Sequence, residues 1–137
     1  MSKSYKINTG YNGAKIYVCF WQNDVDLRQI AARFSVQPDA VLPNYKEVSM
    51  MLNFKDNSIV IMLNFDLLYT AEKARKEFYF IAVNACQQVF RAKGMRYEID
   101  SQSFAFLVQK VLTKFENICA EKYPPTRFDP RNLLGVV

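Results

Sequence analysis

The stretch Glu47-Val48-Ser49-Met50-Met51-Leu52-Asn53-Phe54-Lys55-Asp56-Asn57-Ser58-Ile59-Val60-Ile61-Met62-Leu63-Asn64-Phe65 decides the fold class. Val48, Met50, Leu52 and Phe54 alternate with their neighbours, which is the period of a strand with one face turned to a core. Lys55-Asp56-Asn57-Ser58 is a polar turn, and Ile59 to Phe65 returns as an aliphatic run. The pattern predicts a β-hairpin with a four-residue loop. On its N-terminal side, Ala14 to Trp21 places Ile16, Val18 and Phe20 on one face. Tyr17, Cys19 and Trp21 are apolar too, so this strand is expected to be covered on both faces and to lie centrally.

Between the strand and the hairpin, Asn23 can cap a helix from Asp24 to Phe34. Asp24 and Asp26 suit its positive N-terminal end, and Val25, Ile30, Ala31 and Phe34 are its expected buried stripe. Ser35 to Tyr45 holds two prolines and reads as a surface loop. Beyond the hairpin, Thr70 caps a long helix from Ala71 to Lys93 with Ala74, Phe78, Ile81, Ala82, Ala85 and Val89 inward. Gly94 stands at the C′ position that favours glycine. Asp100 or Ser101 starts a last helix with Phe104, Val108, Val111, Phe115 and Ile118 on one side, ended by Pro124-Pro125. The order strand, helix, hairpin, two helices implies an α+β domain: a small, mainly antiparallel sheet (strand plus β-hairpin) backed by three helices. Residues 1–13 read as an N-terminal arm with room for a short strand, 14–122 as a single domain, and 123–137 as a proline-containing tail.

At 137 residues the chain is long enough to bury a core without staples. Eighteen basic against 13 acidic side chains give +5, a mild excess that permits an acidic partner and demands none. Cys19, Cys86 and Cys119 are widely spaced in apolar runs with no C-x-x-C pair, so buried thiols are expected rather than a disulfide framework. The N-terminus lacks an apolar signal core and no stretch has the length of a membrane span. A cytoplasmic location without membrane contact is the expectation.

The long helix and its successor carry a resemblance. Phe78-Tyr79-Phe80-Ile81-Ala82-Val83-Asn84-Ala85-Cys86-Gln87-Gln88-Val89-Phe90-Arg91-Ala92-Lys93-Gly94 leads through a polar turn to Ser101-Gln102-Ser103-Phe104-Ala105-Phe106-Leu107-Val108-Gln109. This resembles the core of small phage-encoded zincin-like proteins, a metallopeptidase-like group in which an H-E-x-x-H helix ends in Gly and the next helix opens with Glu followed by A-Y-L-V. In that frame Phe80, Ile81 and Asn84 stand where His, Glu and His would be, and Gln102 where the third ligand, Glu, would sit. The resemblance spans roughly Lys15 to Glu116, but its ligand positions are the ones missing. Catalytic zinc needs about three ligands from His, carboxylate or thiolate, and the chain has no histidine. The resemblance therefore implies a degenerate cleft of Phe80, Ile81, Asn84 and Gln102. It would have no catalytic residues, no metal and no cofactor, and its Asn84 and Gln102 amides would face one another. It implies a phage-type pseudoenzyme in the host cytoplasm that acts by binding another protein, such as a host or defence factor.

The competing reading is a nucleic-acid-binding module. Lys73, Arg75 and Lys76 open the long helix, and Arg91, Lys93 and Arg96 close it. The second group complements the negative helix end and the first is offset by Glu72 and Glu77, so a solvated charged face accounts for both. Phosphate contact aided by Tyr79 and Tyr97 is the functional alternative. In the tail, Leu133, Leu134, Val136 and Val137 form an apolar end that is expected to dock, either on the chain's own domain or on another chain, so an oligomer stays open.

Overall fold

The computed structural model describes residues 3–11, 14–44, 46–96 and 100–123. Four strands, Ser4–Asn8 (β1), Lys15–Trp21 (β2), Ser49–Asn53 (β3) and Ile59–Asn64 (β4), form one sheet in the order β1-β2-β4-β3. Three helices, Asp24–Arg33 (α1), Ala71–Ala92 (α2) and Ser101–Lys122 (α3), cover it. The architecture is α+β, as the sequence pattern predicts.

Sheet order follows from how completely each strand is apolar. Every residue of β4 is buried, and β2 is buried from Val18 to Trp21. Two strands with both faces covered belong in the middle, and they pair there, Val18 opposite Ile61. That central pair is parallel. Two of the three pairings are antiparallel, as expected, but the strand-plus-hairpin picture omits the central parallel pair. The half-buried β3 is left at one edge, joined to β4 by the expected hairpin. The tip is closed by the Asn57 N–H donating to the Phe54 carbonyl at 2.9 Å, with Asn57 at φ 71°. The other edge is β1, which the N-terminal arm contributes to the sheet; of its five residues only Ile7 is buried, so its periodic signal is weak.

Helices lie on both faces. Cys19, Trp21, Val60 and Met62 point to one side and pack with Leu27, Ile30 and Ala31 of α1. Ile16, Val18, Phe20, Ile61 and Leu63 point to the other and pack with α2 and α3. Each fully buried aliphatic side chain contributes about 1.5–3 kcal/mol, so these two clusters dominate stability. The α1 stripe differs from expectation: Val25 is 60% exposed and Leu27 is buried in its place. Leu27, Ile30, Ala31 and half-buried Phe34 keep i, i+3, i+4, i+7 spacing, which Val25 does not.

The predicted caps are present. The Asn23 side chain accepts from Asp26 N–H at 2.9 Å and Thr70 from Lys73 N–H at 3.2 Å. At the end of α2, Gly94 takes φ 69° while its N–H donates to Arg91 C=O and the Met95 N–H to Phe90 C=O. That is a Schellman closure, satisfying carbonyls the helix would leave open. No helix among the described residues is long and apolar enough to cross a membrane.

Candidate interaction surface

The α2–α3 pair runs antiparallel and is held by aromatic contacts at matched levels. Phe78 stacks on Phe115 with ring centroids 3.8 Å apart and planes 1° from parallel, and Phe90 meets Phe104 edge-on at 5.2 Å. Arg75 Nε donates to both oxygens of Glu116, at 2.8 and 2.9 Å. Both members of that pair are two-fifths exposed, so it aligns the helices more than it stabilises them.

Above these contacts the outward faces of the two helices leave a groove of about 580 Å³. Tyr79 and Val83 form its α2 wall, and Phe104, Val108 and Leu112 its α3 wall, with Gln109 and Glu116 on the rim. Tyr79 is 46% and Val83 38% exposed, so apolar surface here faces water. In the sequence Tyr79 reads as a ring for base stacking, while Val83 and Leu112 carry no expected role. The available signal was a second apolar stripe on α2, Tyr79 and Val83 at i, i+4, offset from the buried one.

The four residues of the degenerate cleft do not assemble into one. Phe80 is 82% exposed, Asn84 and Gln102 are exposed, and Ile81 is half-buried against the core. The α2 side facing α3 is that of Phe78 and Phe90, with Tyr79 and Val83 at its outer border. Glu77 marks another flank, because it accepts a hydrogen bond from the Ser49 hydroxyl of β3. Phe80, Ile81 and Asn84 follow Glu77 at helical spacing along that flank. Since Phe104 sits opposite Phe90, Gln102 is level with the last turn of α2, roughly two turns from Asn84. The expected amide–amide pairing is therefore corrected: helix register places the two side chains too far apart to meet.

The basic groups also stay apart. A helix of 22 residues is about 33 Å long, so its two ends cannot form one patch. Arg75 is engaged with Glu116, Lys76 lies 3.9 Å from Glu72, and Lys73 sits over the Tyr69 ring at 5.3 Å. Arg91 lines a small polar cleft with Gln88, Asn53, Asn57 and Ser58 at the hairpin tip, while Lys93 and Arg96 are exposed beyond it. Tyr97 lies outside the described residues, as do Leu133, Leu134, Val136 and Val137.

No group of three or more His, Cys, Asp or Glu side chains is placed to hold a metal among the described residues. All three cysteines are buried. Burial pushes the Cys19 and Cys86 thiols up to about 12 and Cys119 to about 11, the opposite of what an activated nucleophile needs. At the end of α3, Tyr123 packs on Phe65 and Phe20 and donates from its hydroxyl to the Leu68 carbonyl. The residue read as the first of the tail is thus seated on the domain. Comparison with known protein families, with curated proteins and with solved structures finds no match.

Proposed function

We propose that this chain is a non-catalytic accessory protein that binds another protein, receiving an apolar-faced helix of its partner in the groove between α2 and α3. The observation that carries the reading is the groove itself: apolar walls from Tyr79, Val83, Phe104, Val108 and Leu112, open to water on a rigid helical pair. Two antiparallel helices offer a third one ridges and a groove to pack into, and i, i+4 apolar anchors are what such recognition reads. The degenerate zincin-like scaffold, the phage provenance and the cytoplasmic setting in this proposal rest on the sequence resemblance. The nucleic-acid alternative has less support, because its two basic groups sit at opposite ends of α2 and part of the first is ion-paired.

The test is comparative capture from expressing cells. Val83→Asp introduces a charge on the groove wall at an already exposed position and should leave folding intact. A partner recovered with the unmodified chain, lost with Val83→Asp and kept with a control at exposed Lys114, supports the reading. Recovery that is indifferent to Val83→Asp, or of nucleic acid alone in a salt-sensitive manner, overturns it.

A further inference from the structure

The two edges of the sheet are not alike. β1 carries Lys6 within it and Lys3 just before it, charges of the kind that discourage a further strand. β3, Ser-Met-Met-Leu-Asn, has neither charge nor proline. Its Val48 carbonyl accepts from Asn64 N–H at 2.9 Å, and the Phe54 N–H donates to the Ser58 carbonyl at 3.0 Å. Even-numbered residues therefore bond inward to β4, and antiparallel alternation turns the N–H and C=O of Ser49, Met51 and Asn53 outward.

We propose that this edge joins two copies of the chain as a symmetric dimer, β3 against β3 in antiparallel register centred on Met51. In a two-fold pairing each residue meets a fixed counterpart. With Met51 opposite itself, the outward-bonding Ser49 meets Asn53, Met50 meets Leu52, and Val48 meets Phe54. Just outside the strand, where the chain turns, this register brings the end that carries Lys46 and Glu47 to the end that carries Lys55 and Asp56, with Glu47 nearest Lys55 and Lys46 nearest Asp56. Every pair is either apolar with apolar, polar with polar, or opposite in charge. Sliding the register one step in one direction sets Val48 against Asp56, and in the other sets Glu47 against Asn53. Only the Met51-centred arrangement matches both charge pairs. Glu47 and Lys55 are exposed and form no ion pair among the described residues, so both are available for this contact.

The flank of α2 above β3 fits the same contact. Glu77 is bonded to Ser49, and Phe80 stands one turn on, 82% exposed. A second copy continuing the sheet brings its own α2 alongside and covers that ring, which nothing in the single chain does. The interface uses the β3 flank of α2, whereas the groove proposed for the partner helix uses the α3 flank.

The experiment is sedimentation of the full chain across concentration, with single and paired charge reversals. The unmodified protein is expected to be dimeric at about 100 μM, the concentration scale of a modest interface. Each pair occurs twice across the two-fold, so Glu47→Lys or Lys55→Glu alone should raise the dimer Kd about tenfold. The double variant Glu47→Lys/Lys55→Glu restores opposite charges and should return Kd to within roughly twofold of the unmodified protein. Val83→Asp should leave Kd unchanged. Above the Kd, hydrogen exchange at the Met51 and Asn53 amides should slow. A monomer at every concentration overturns the proposal, and so does a dimer whose Kd ignores the single reversals or is not restored by the exchange of charges.

Discussion

Replacing Phe115 by alanine removes the ring that fastens α3 to α2. Phe115 and Phe78 are both fully buried, their rings stacked face to face at 3.8 Å. A buried Phe→Ala change costs about 3–5 kcal/mol, the sum of lost transfer energy and the cavity left behind. Domains of this kind have about 5–15 kcal/mol in total, so the loss is a large share of the whole. In thermal terms it corresponds to roughly 10–15 °C for a domain of this length. Urea denaturation followed by circular dichroism reads it as a lower midpoint at unchanged slope. Phe78→Ala should cost a similar amount, and the double variant should fall short of additivity by about 0.5–1.5 kcal/mol, because the second ring has already lost its partner. A loss below about 1 kcal/mol for Phe115→Ala, or strict additivity of the pair, would show that the stack does not hold the helices together.

Two further outcomes follow from local geometry. Gly94→Ala meets no atom within 4 Å but holds φ 69°, so its cost is purely conformational, about 1 kcal/mol, and Asn at the same position should cost less; equal stability of all three in urea refutes the closure described for α2. Stability should also fall at alkaline pH. Burial raises the Cys19 and Cys86 thiols from 9.0 to about 12, and burial with the hydrogen bond to Glu121 raises the Tyr5 phenol from 10.0 to about 12. These groups ionise first in the unfolded chain, which then binds fewer protons than the native state. Their contribution is intact below pH 9 and is lost as pH climbs towards 12. A urea midpoint unchanged from pH 8 to pH 11 would contradict it.

The parts of the fold legible in the sequence are those whose signal is local. Asn23, Thr70 and Gly94 announce helix ends because a cap is a contact between neighbours in sequence. The hairpin is legible because Lys55 to Ser58 must turn whatever surrounds it. The covered faces of β2 are legible from Tyr17, Cys19 and Trp21. Sheet order is different. That β4 lies beside β2, and in parallel, depends on which apolar strand wins the central place, a competition between residues some forty positions apart. β1 reads only as room for a short strand in the N-terminal arm, because an edge strand with one buried side chain has almost no period to read. Val25 shows the same limit on a smaller scale: it is apolar, yet it falls outside the stripe that Leu27, Ile30 and Ala31 define.

The candidate surfaces were harder still, because helix rotation matters more than helix identity. Placing Phe80, Ile81, Asn84 and Gln102 in one cleft requires α2 to turn a particular flank to α3. The packing that decides this is set by small residues: Ala74, Ala82 and Ala85, all fully buried, let α2 sit close to the sheet, and Phe78 and Phe90 then point towards α3. That rotation leaves α2 with two exposed flanks. Tyr79 and Val83 border α3, Glu77 reaches Ser49 of β3, and Phe80 stands exposed between the two flanks. A single helix thus contributes to both proposed contacts without sharing a residue between them. A dimer of this chain would present two helix grooves related by the two-fold. Paired grooves on a symmetric dimer favour a partner that is itself dimeric or carries the recognised helix twice, because the second binding event is then intramolecular. Which apolar side chains of α2 border α3 and which stay in water, Phe80 among them, is thus decided by the rotation of the helix about its own axis.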